Sequence, residues 1–142
     1  MATRYDHLLV AVDGSKTSER AADHAIDLAK RFDSTLTVMH VVDGDLLALD
    51  ARGQLLADQL EADATEIVEK TVERAIEMGV SAEPLITRGS PAAEILSAID
   101  AREPDLVVVG SHGRTGIDKF LLGSVSERVV RRSTVPVLTV RG

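Results

Sequence analysis

The sequence of 142 residues has no cysteine, no tryptophan, and only two phenylalanines and one tyrosine. The absence of cysteine excludes disulfide bonds, zinc–thiolate sites, thiol nucleophiles and redox couples. So few aromatic side chains leave no stacking platform for nucleic-acid bases. The formal net charge of −7 also argues against a general nucleic-acid binder, because such a protein needs a basic stripe that neutralises phosphates.

Long apolar runs are also absent, and none approaches the length of a membrane span. The N-terminus carries no basic leader followed by an apolar region and a cleavage site. We therefore expect a cytoplasmic protein without membrane association. The length fits one domain, residues 1–142, which can bury roughly 68–70% of the surface that its unfolded chain exposes.

Short apolar runs alternate with helical patterns along the whole chain, which is typical of a parallel sheet with crossover helices. The run before Gly110 is apolar along almost its whole length, as expected of a central strand covered on both faces. Gly79 is expected to end the second helix in a left-handed conformation. The predicted strands are 7–12, 36–42, 81–87, 105–109 and 135–140, and the predicted helices are 18–32, 52–78, 91–104 and 124–132.

The segment 110–124 is the most informative part of the sequence. It has two glycines three residues apart, Gly110 and Gly113, and a Gly-Ser pair, Gly123 and Ser124, after a nine-residue gap. A glycine-rich loop between a strand end and a helix start can offer backbone N–H groups and a positive helix terminus to a phosphate chain. The basic side chains within it, His112, Arg114 and Lys119, could balance anionic charge.

A purely structural explanation of the same segment is also open. Ser124 and Glu127 have the spacing of a capping box, in which the serine would be the N-cap of the fourth helix. Gly110 and Gly113 could be turn glycines that need positive φ.

Asp13 follows the first predicted strand. The neighbouring Gly14-Ser-Lys-Thr17 is similar to the end of a Walker A loop but lacks the glycine directly before Lys16, and no G-x-G-x-x-G is present. Asp13 could simply cap the first helix. If the strand order reverses between strands one and four, Asp13 and Gly110 face one crevice, where a carboxylate could accept ribose hydroxyls or help to hold a metal beside phosphates.

Together these motifs resemble the universal stress proteins, specifically their ATP-binding branch. The resemblance runs from end to end, and the pattern of glycines from Gly110 to Gly123 matches the family's nucleotide signature without a break. The matching segments are LVAVDGS at 9–15, VMHV at 38–41, GSPAAEIL at 89–96, DLVVVGSHGRTG at 105–116, LGSVSE at 122–127 and VPVLTV at 135–140.

The resemblance implies a single Rossmann-like α/β domain of the adenine nucleotide alpha hydrolase type. Its open five-stranded parallel sheet would have the order 3-2-1-4-5 with helices on both faces. ATP, with magnesium or manganese, would lie across the ends of strands one and four, although AMP or another adenine nucleotide stays open. The residues implied to contact it are Ala11, Val12, Asp13, Val41, Gly110, Ser111, His112, Gly113, Arg114, Thr115, Gly123, Ser124 and Val125.

By the same resemblance, Ala11 and Val41 would line the adenine pocket, with main-chain hydrogen bonds from Val41. Asp13 would lie near the ribose or a phosphate-bound metal. The segment 110–115 would wrap the phosphates, and the segment 123–125 would complete their cradle at the helix N-terminus.

The last strand, 135–140, would be an apolar edge, and such an edge invites uncontrolled pairing unless something covers it. We expect a second copy to cover it in a homodimer; the alternative is shielding by the fourth helix and the C-terminus. His7, His24 and His40 lack metal-ligand spacing and are expected to be structural.

No nucleophile elbow, catalytic triad or paired-carboxylate motif is present, so we do not expect an enzyme, although slow ATP hydrolysis stays open. The alternative function is a dimeric interaction module of the same fold that holds no nucleotide. An adenylating enzyme is disfavoured because a Ser-Gly-Gly-x-Asp-Ser loop is missing after strand one.

Overall fold

A computed structural model describes residues 4–43, 51–112 and 122–142, and for 51–55 it describes the backbone only. Within these ranges strands and helices alternate in the predicted order. Their bounds are β1 His7–Ala11, α1 Lys16–Phe32, β2 Thr35–Asp43, α2 Ala51–Glu77, β3 Ala82–Gly89, α3 Pro91–Arg102, β4 Leu106–Gly110, α4 Ser124–Arg132 and β5 Val137–Val140. No helix in the described ranges has both the length and the hydropathy of a membrane span.

The five strands form one parallel sheet in the order β3-β2-β1-β4-β5, as predicted. β1 is central and pairs with β2 from His7 opposite Thr35 to Ala11 opposite Met39. On its other side β1 pairs with β4, where Val10 lies opposite Val108. The chain therefore turns one way from β1 to build β2 and β3 and the other way to build β4 and β5.

Side chains alternate between the two faces of the sheet, and each face has its own apolar core. Leu8 and Val10 of β1 point to the face covered by α1 and α2. Leu9 of β1 and Met39 of β2 point to the opposite face, covered by α3 and α4. All four side chains are completely buried, as the apolar runs of the sequence predict for central strands.

The ends of α1 and α2 follow from local chemistry. Ser15 is the N-cap of α1, and its hydroxyl accepts the N–H of Ser18 at 3.1 Å, so the helix begins two residues earlier than predicted. Gly79 takes φ +86°, as expected for the residue that ends α2. There the N–H of Val80 donates to the carbonyl of Ala75 and that of Gly79 to Ile76, which is the Schellman arrangement.

The start of α4 differs from the prediction. The N-cap is Gly123, which has no side chain to cap the helix, and Ser124 is the first helical residue. The N–H of Gly123 donates to the carbonyl of Ser111 at 2.6 Å, and its carbonyl accepts the N–H of Glu127 at 2.9 Å. The side chain of Glu127 pairs with Arg131 instead of reaching back. The predicted capping box is therefore wrong, because a tertiary hydrogen bond fixes where the chain enters the helix.

Alanine variants of Ser15 and Ser124 distinguish a serine that caps a helix from one that only has the sequence pattern of a cap. Ser15→Ala should lower the free energy of unfolding by about 1 kcal/mol, since it removes the hydroxyl that caps α1. Ser124→Ala should change it by less than about 0.5 kcal/mol, the usual range for an exposed substitution. Urea denaturation of both variants measures this, and equal losses would contradict the assignment of Gly123 as the N-cap.

Candidate functional site

The sequence predicts a crevice at the carboxyl ends of β1 and β4. These strands are neighbours, and Asp13 and Gly110 stand at their ends, as the sequence predicts. From there the chain leaves β1 for α1, which packs on one face, whereas it leaves β4 for α4, which packs on the other. A parallel sheet of this kind binds ligands at such a point, since diverging chains leave a crevice between them.

Side chains end the hydrogen bonding between β1 and β4. If the register continued, the N–H of Asp13 would donate to the carbonyl of Gly110. Instead the N–H of Asp13 donates to the hydroxyl of Ser18 at 3.1 Å. The carbonyl of Gly110 accepts the hydroxyl of Ser126, from the first turn of α4, at 2.5 Å. Ser18 and Ser126, which no sequence motif marks as part of a site, thus satisfy the strand ends and allow the chains to separate.

Asp13 is half-buried and held by its own loop. Its Oδ1 accepts the N–H of Ser15 at 2.9 Å, and Gly14 between them takes φ +83°. This is the short turn that an aspartate stabilises by bonding the backbone two residues on. Because Ser15 caps α1, the alternative that Asp13 is the helix cap does not hold.

Three of the residues that are predicted to contact a ligand form an apolar wall on the face of the sheet that α3 and α4 cover. Ala11, Val41 and Val125 are all partly buried and all pack against the same core cluster. Ala11 ends β1, and Val41 lies on β2 two residues beyond Met39, the last residue that pairs with β1. The wall is therefore apolar, and the main chain of Val41 lies beyond the end of the neighbouring strand.

Val12 has a different environment from Ala11. Its side chain is 5% exposed and packs in the other core cluster, between the sheet and the α1 and α2 layer. Its N–H donates to the carbonyl of Met39 at 2.8 Å, and its carbonyl accepts Nδ1 of His40 at 2.7 Å. Val12 therefore supports the end of β1 through its side chain and both of its main-chain groups. His40, expected to be structural, holds this strand end.

Gly110 and Gly123 are glycines because other chain segments lie close to them. A Cβ on Gly110 would stand 2.8 Å from Cγ2 of Thr17 and 3.2 Å from its main-chain carbon. A Cβ on Gly123 would stand 3.2 Å from the carbonyl oxygen of Ser111. Neither glycine has positive φ, so the turn-glycine alternative is wrong for Gly110. Packing accounts for Gly110, and at Gly123 it favours glycine because an added Cβ would be tight against a main-chain oxygen.

Ser111 and His112 join the end of β4 to the start of α4. Ser111 is 2% exposed, and its N–H donates to Val140 while its carbonyl accepts Gly123. Its hydroxyl lies 3.0 Å from Nδ1 of His112. The other ring nitrogen of His112, Nε2, is buried and has no hydrogen-bond partner among the described residues. Such an orphan atom typically costs about 1–3 kcal/mol, which a polar ligand group could recover.

The first turn of α4 completes this side of the site. Gly123 offers no side-chain acceptor, so the N–H groups of the helix start lack the usual cap. Ser124 is exposed beside them. The expected phosphate residues Gly113, Arg114 and Thr115 lie outside the described residues, as does Lys119.

Metal binding by side chains alone finds no support in the described part of the chain. No group of three or more histidine, aspartate or glutamate side chains lies close enough there to hold an ion.

Comparisons with known proteins agree with this architecture. The sequence model of the universal stress protein family (Usp) matches residues 4–141. Universal stress protein MJ0531 of Methanocaldococcus jannaschii is 37% identical over 140 residues, which cover 96% of this chain and 82% of the relative. The solved structure of hypothetical protein MJ0577 has a TM-score of 0.83 at 29% identity and covers 96% of this chain and 95% of that one. A universal stress protein in complex with cAMP has a TM-score of 0.76 at 30% identity, with 96% and 97% covered.

Gly110→Ala tests whether this glycine serves packing. The added methyl would meet Thr17, so the free energy of unfolding should fall by about 1–3 kcal/mol, the range for overpacked sites. Thr17→Ser removes the nearest contacting atom, and the double variant should therefore recover a substantial part of the loss. Urea denaturation of all four proteins measures the coupling. Additive effects, or no loss in Gly110→Ala, would contradict the packing explanation.

Proposed function

Because the chain belongs to the universal stress protein family, we propose that it binds an adenine nucleotide in the crevice between the ends of β1 and β4. The observation that carries the proposal is the start of α4. Its first turn lacks a side-chain cap, and the hydrogen bond from Gly123 to Ser111 fixes it at the end of β4. An uncapped helix N-terminus held at a parallel-sheet crevice suits an anionic group. A relative at 30% identity is a complex with cAMP, which supports an adenine nucleotide.

In this proposal the phosphates lie at the start of α4. The main-chain N–H groups of Ser124 and Val125 and the Ser124 hydroxyl would bind phosphate oxygens, with Gly123 allowing close approach. Nε2 of His112, which has no partner among the described residues, lies on the adjoining segment and would bind a phosphate oxygen. The segment 110–115 would wrap the phosphates, and it includes Gly113, Arg114 and Thr115.

The base would rest on the apolar wall of Ala11 and Val41. Val41 would contribute main-chain hydrogen bonds, since its N–H and carbonyl lie beyond the end of β1. Asp13, at the end of β1, would face the ribose or a magnesium or manganese ion. That ion would take most of its ligands from the phosphates of ATP, so a diphosphate or triphosphate would bring it and AMP would not.

We propose a nucleotide-responsive stress or regulatory protein of the cytoplasm rather than an enzyme. Nucleotide binding would stabilise the connection between β4 and α4. The alternative is an interaction module of the same fold that holds no nucleotide. One observation favours it: contacts with Thr17 and Ser111 account for Gly110 and Gly123 without any ligand.

ATP with magnesium should stabilise the protein. At one hundred times the dissociation constant, a ligand that binds only the native state adds about 2.7 kcal/mol. For a domain of this size the melting temperature should rise on the order of 5–10 °C. Scanning calorimetry at millimolar ATP, compared with magnesium alone, measures the shift, and its absence would leave the interaction module as the better proposal.

Ser124 allows the phosphate subsite to be tested without disturbing the fold. Ser124→Glu places a negative charge in the first turn of α4, which suits the helix dipole but repels phosphates. ATP affinity should fall at least about tenfold, while the melting temperature without nucleotide should stay level or rise. Ser124→Gln has the shape of the glutamate variant without its charge, so it loses only the hydroxyl contact and its affinity should fall clearly less. Equal losses in both variants would show that charge at this turn does not matter.

The proposed homodimer forms through β5, the edge of the sheet. The N–H of Ser111 donates to the carbonyl of Val140, and that of Val107 to Pro136, so the even-numbered residues of β5 face β4. The main-chain groups of Val137 and Thr139 therefore face outward, where a second copy could pair antiparallel.

Thr139→Pro tests this interface. Proline removes an outward N–H and leaves the hydrogen bonds to β4 in place. The dissociation constant of the dimer should rise at least about tenfold, whereas Thr139→Val, which keeps the N–H, should not raise it. Sedimentation equilibrium measures both. A dimer unaffected by the proline would place the interface elsewhere.

A further inference from the structure

His40 makes an unusual hydrogen bond at the end of β1. Its ring Nδ1 lies 2.7 Å from the main-chain carbonyl oxygen of Val12, and the side chain is half-buried on β2. A carbonyl oxygen only accepts, so Nδ1 carries the proton and donates. Both the neutral ring with this tautomer and the charged ring can make the bond.

The bond replaces the next rung of the sheet. The N–H of Val12 donates to the carbonyl of Met39 at 2.8 Å, and regular parallel pairing would next join the N–H of Val41 to the carbonyl of Val12. No main-chain hydrogen bond between Val41 and Val12 exists among the described residues. The imidazole of His40 takes that acceptor instead.

We propose that His40 is a positioning residue: by holding the carbonyl of Val12, it ends the pairing of β1 with β2 and keeps the N–H of Val41 open to the base of the nucleotide. This inference rests on the proposed function. It parallels the other side of β1, where Ser18 and Ser126 take the strand-end groups that would otherwise pair.

The chemistry of the base follows from the groups that Val41 offers. A main-chain N–H and carbonyl side by side match adenine, which presents a ring nitrogen acceptor and an amino donor. Hypoxanthine presents a ring N–H and a carbonyl oxygen instead, so both polar pairs would be mismatched. If the main-chain groups of Val41 are available to the base, the protein should bind ATP more tightly than ITP, because mispaired polar groups in a site are strongly disfavoured.

The first test uses nucleotide-free protein, so that it does not depend on whether ATP binds. In His40→Leu the carbonyl of Val12 loses its partner and the N–H of Val41 can take it. Amide hydrogen exchange of Val41, followed by NMR, should slow at least about tenfold, the effect of gaining one hydrogen bond. His40→Asn, whose amide nitrogen can reach the position of Nδ1, should exchange like the wild type. Unchanged exchange in folded His40→Leu would overturn the proposal.

The second test measures selectivity. Calorimetric titration with magnesium ATP and magnesium ITP should show a clear preference for ATP in the wild type and in His40→Asn. In His40→Leu, ATP affinity should fall about tenfold and the preference over ITP should shrink, as expected when one hydrogen bond to the base is lost. An unchanged preference in His40→Leu would overturn the role of His40 in the site. If the wild type binds neither nucleotide, the proposed function fails, while the exchange experiment still decides whether His40 ends the pairing.

A measurement on the unaltered protein covers the case in which His40→Leu does not fold. Long-range nitrogen–proton NMR correlations of the imidazole report which ring nitrogen carries the proton. At neutral or mildly alkaline pH the proton on Nδ1 is expected. A ring with the proton on Nε2 alone could not donate to Val12 and would overturn the proposal.

Discussion

Where two paired strands separate, each buried backbone group that finds no other partner lowers the stability of the fold. A buried N–H or carbonyl without a partner costs roughly as much as a lost hydrogen bond, and three such groups would be a large share of a domain's stability. In this fold β1 separates from both neighbours at the same level. Side chains of Ser18, Ser126 and His40 satisfy three of the groups that the sheet gives up there: the N–H of Asp13 and the carbonyls of Gly110 and Val12. The position of the crevice depends on these three bonds.

Much of the architecture follows from the sequence because its determinants are local. Apolar runs and helical spacing predict the alternating elements, and Gly79 ends α2 as expected because the left-handed conformation there suits glycine. The sheet order came from the resemblance to the family, since apolar runs alone do not say which strands are neighbours. Strand ends were predicted within about two residues, because ladder hydrogen bonds, rather than composition, decide where pairing stops.

The features that the sequence does not predict correctly depend on contacts between segments that are distant in sequence. The pattern from Ser124 to Glu127 is the same whether or not the serine is a cap, and the bond from Gly123 to Ser111 decides the matter. The reason for Gly110 is the approach of Thr17, which lies more than ninety residues earlier. A lone histidine in a strand gives no sign that it will replace a backbone donor, because that depends on the register between two strands.

These contacts change what should count as a sign of ligand binding in this fold. The approach of Thr17 to Gly110 and of Ser111 to Gly123 favours glycine at both positions of this chain, whether or not a nucleotide binds. Fold and glycines together therefore do not imply a ligand. Better signs are polar groups that find no partner within the described part of the chain: the first turn of α4, Nε2 of His112 and the N–H of Val41, which makes no bond to Val12. A ligand that satisfied all three would bridge β2, β4 and α4 across the crevice. Binding of such a ligand would then stabilise the folded chain as well as fill the site.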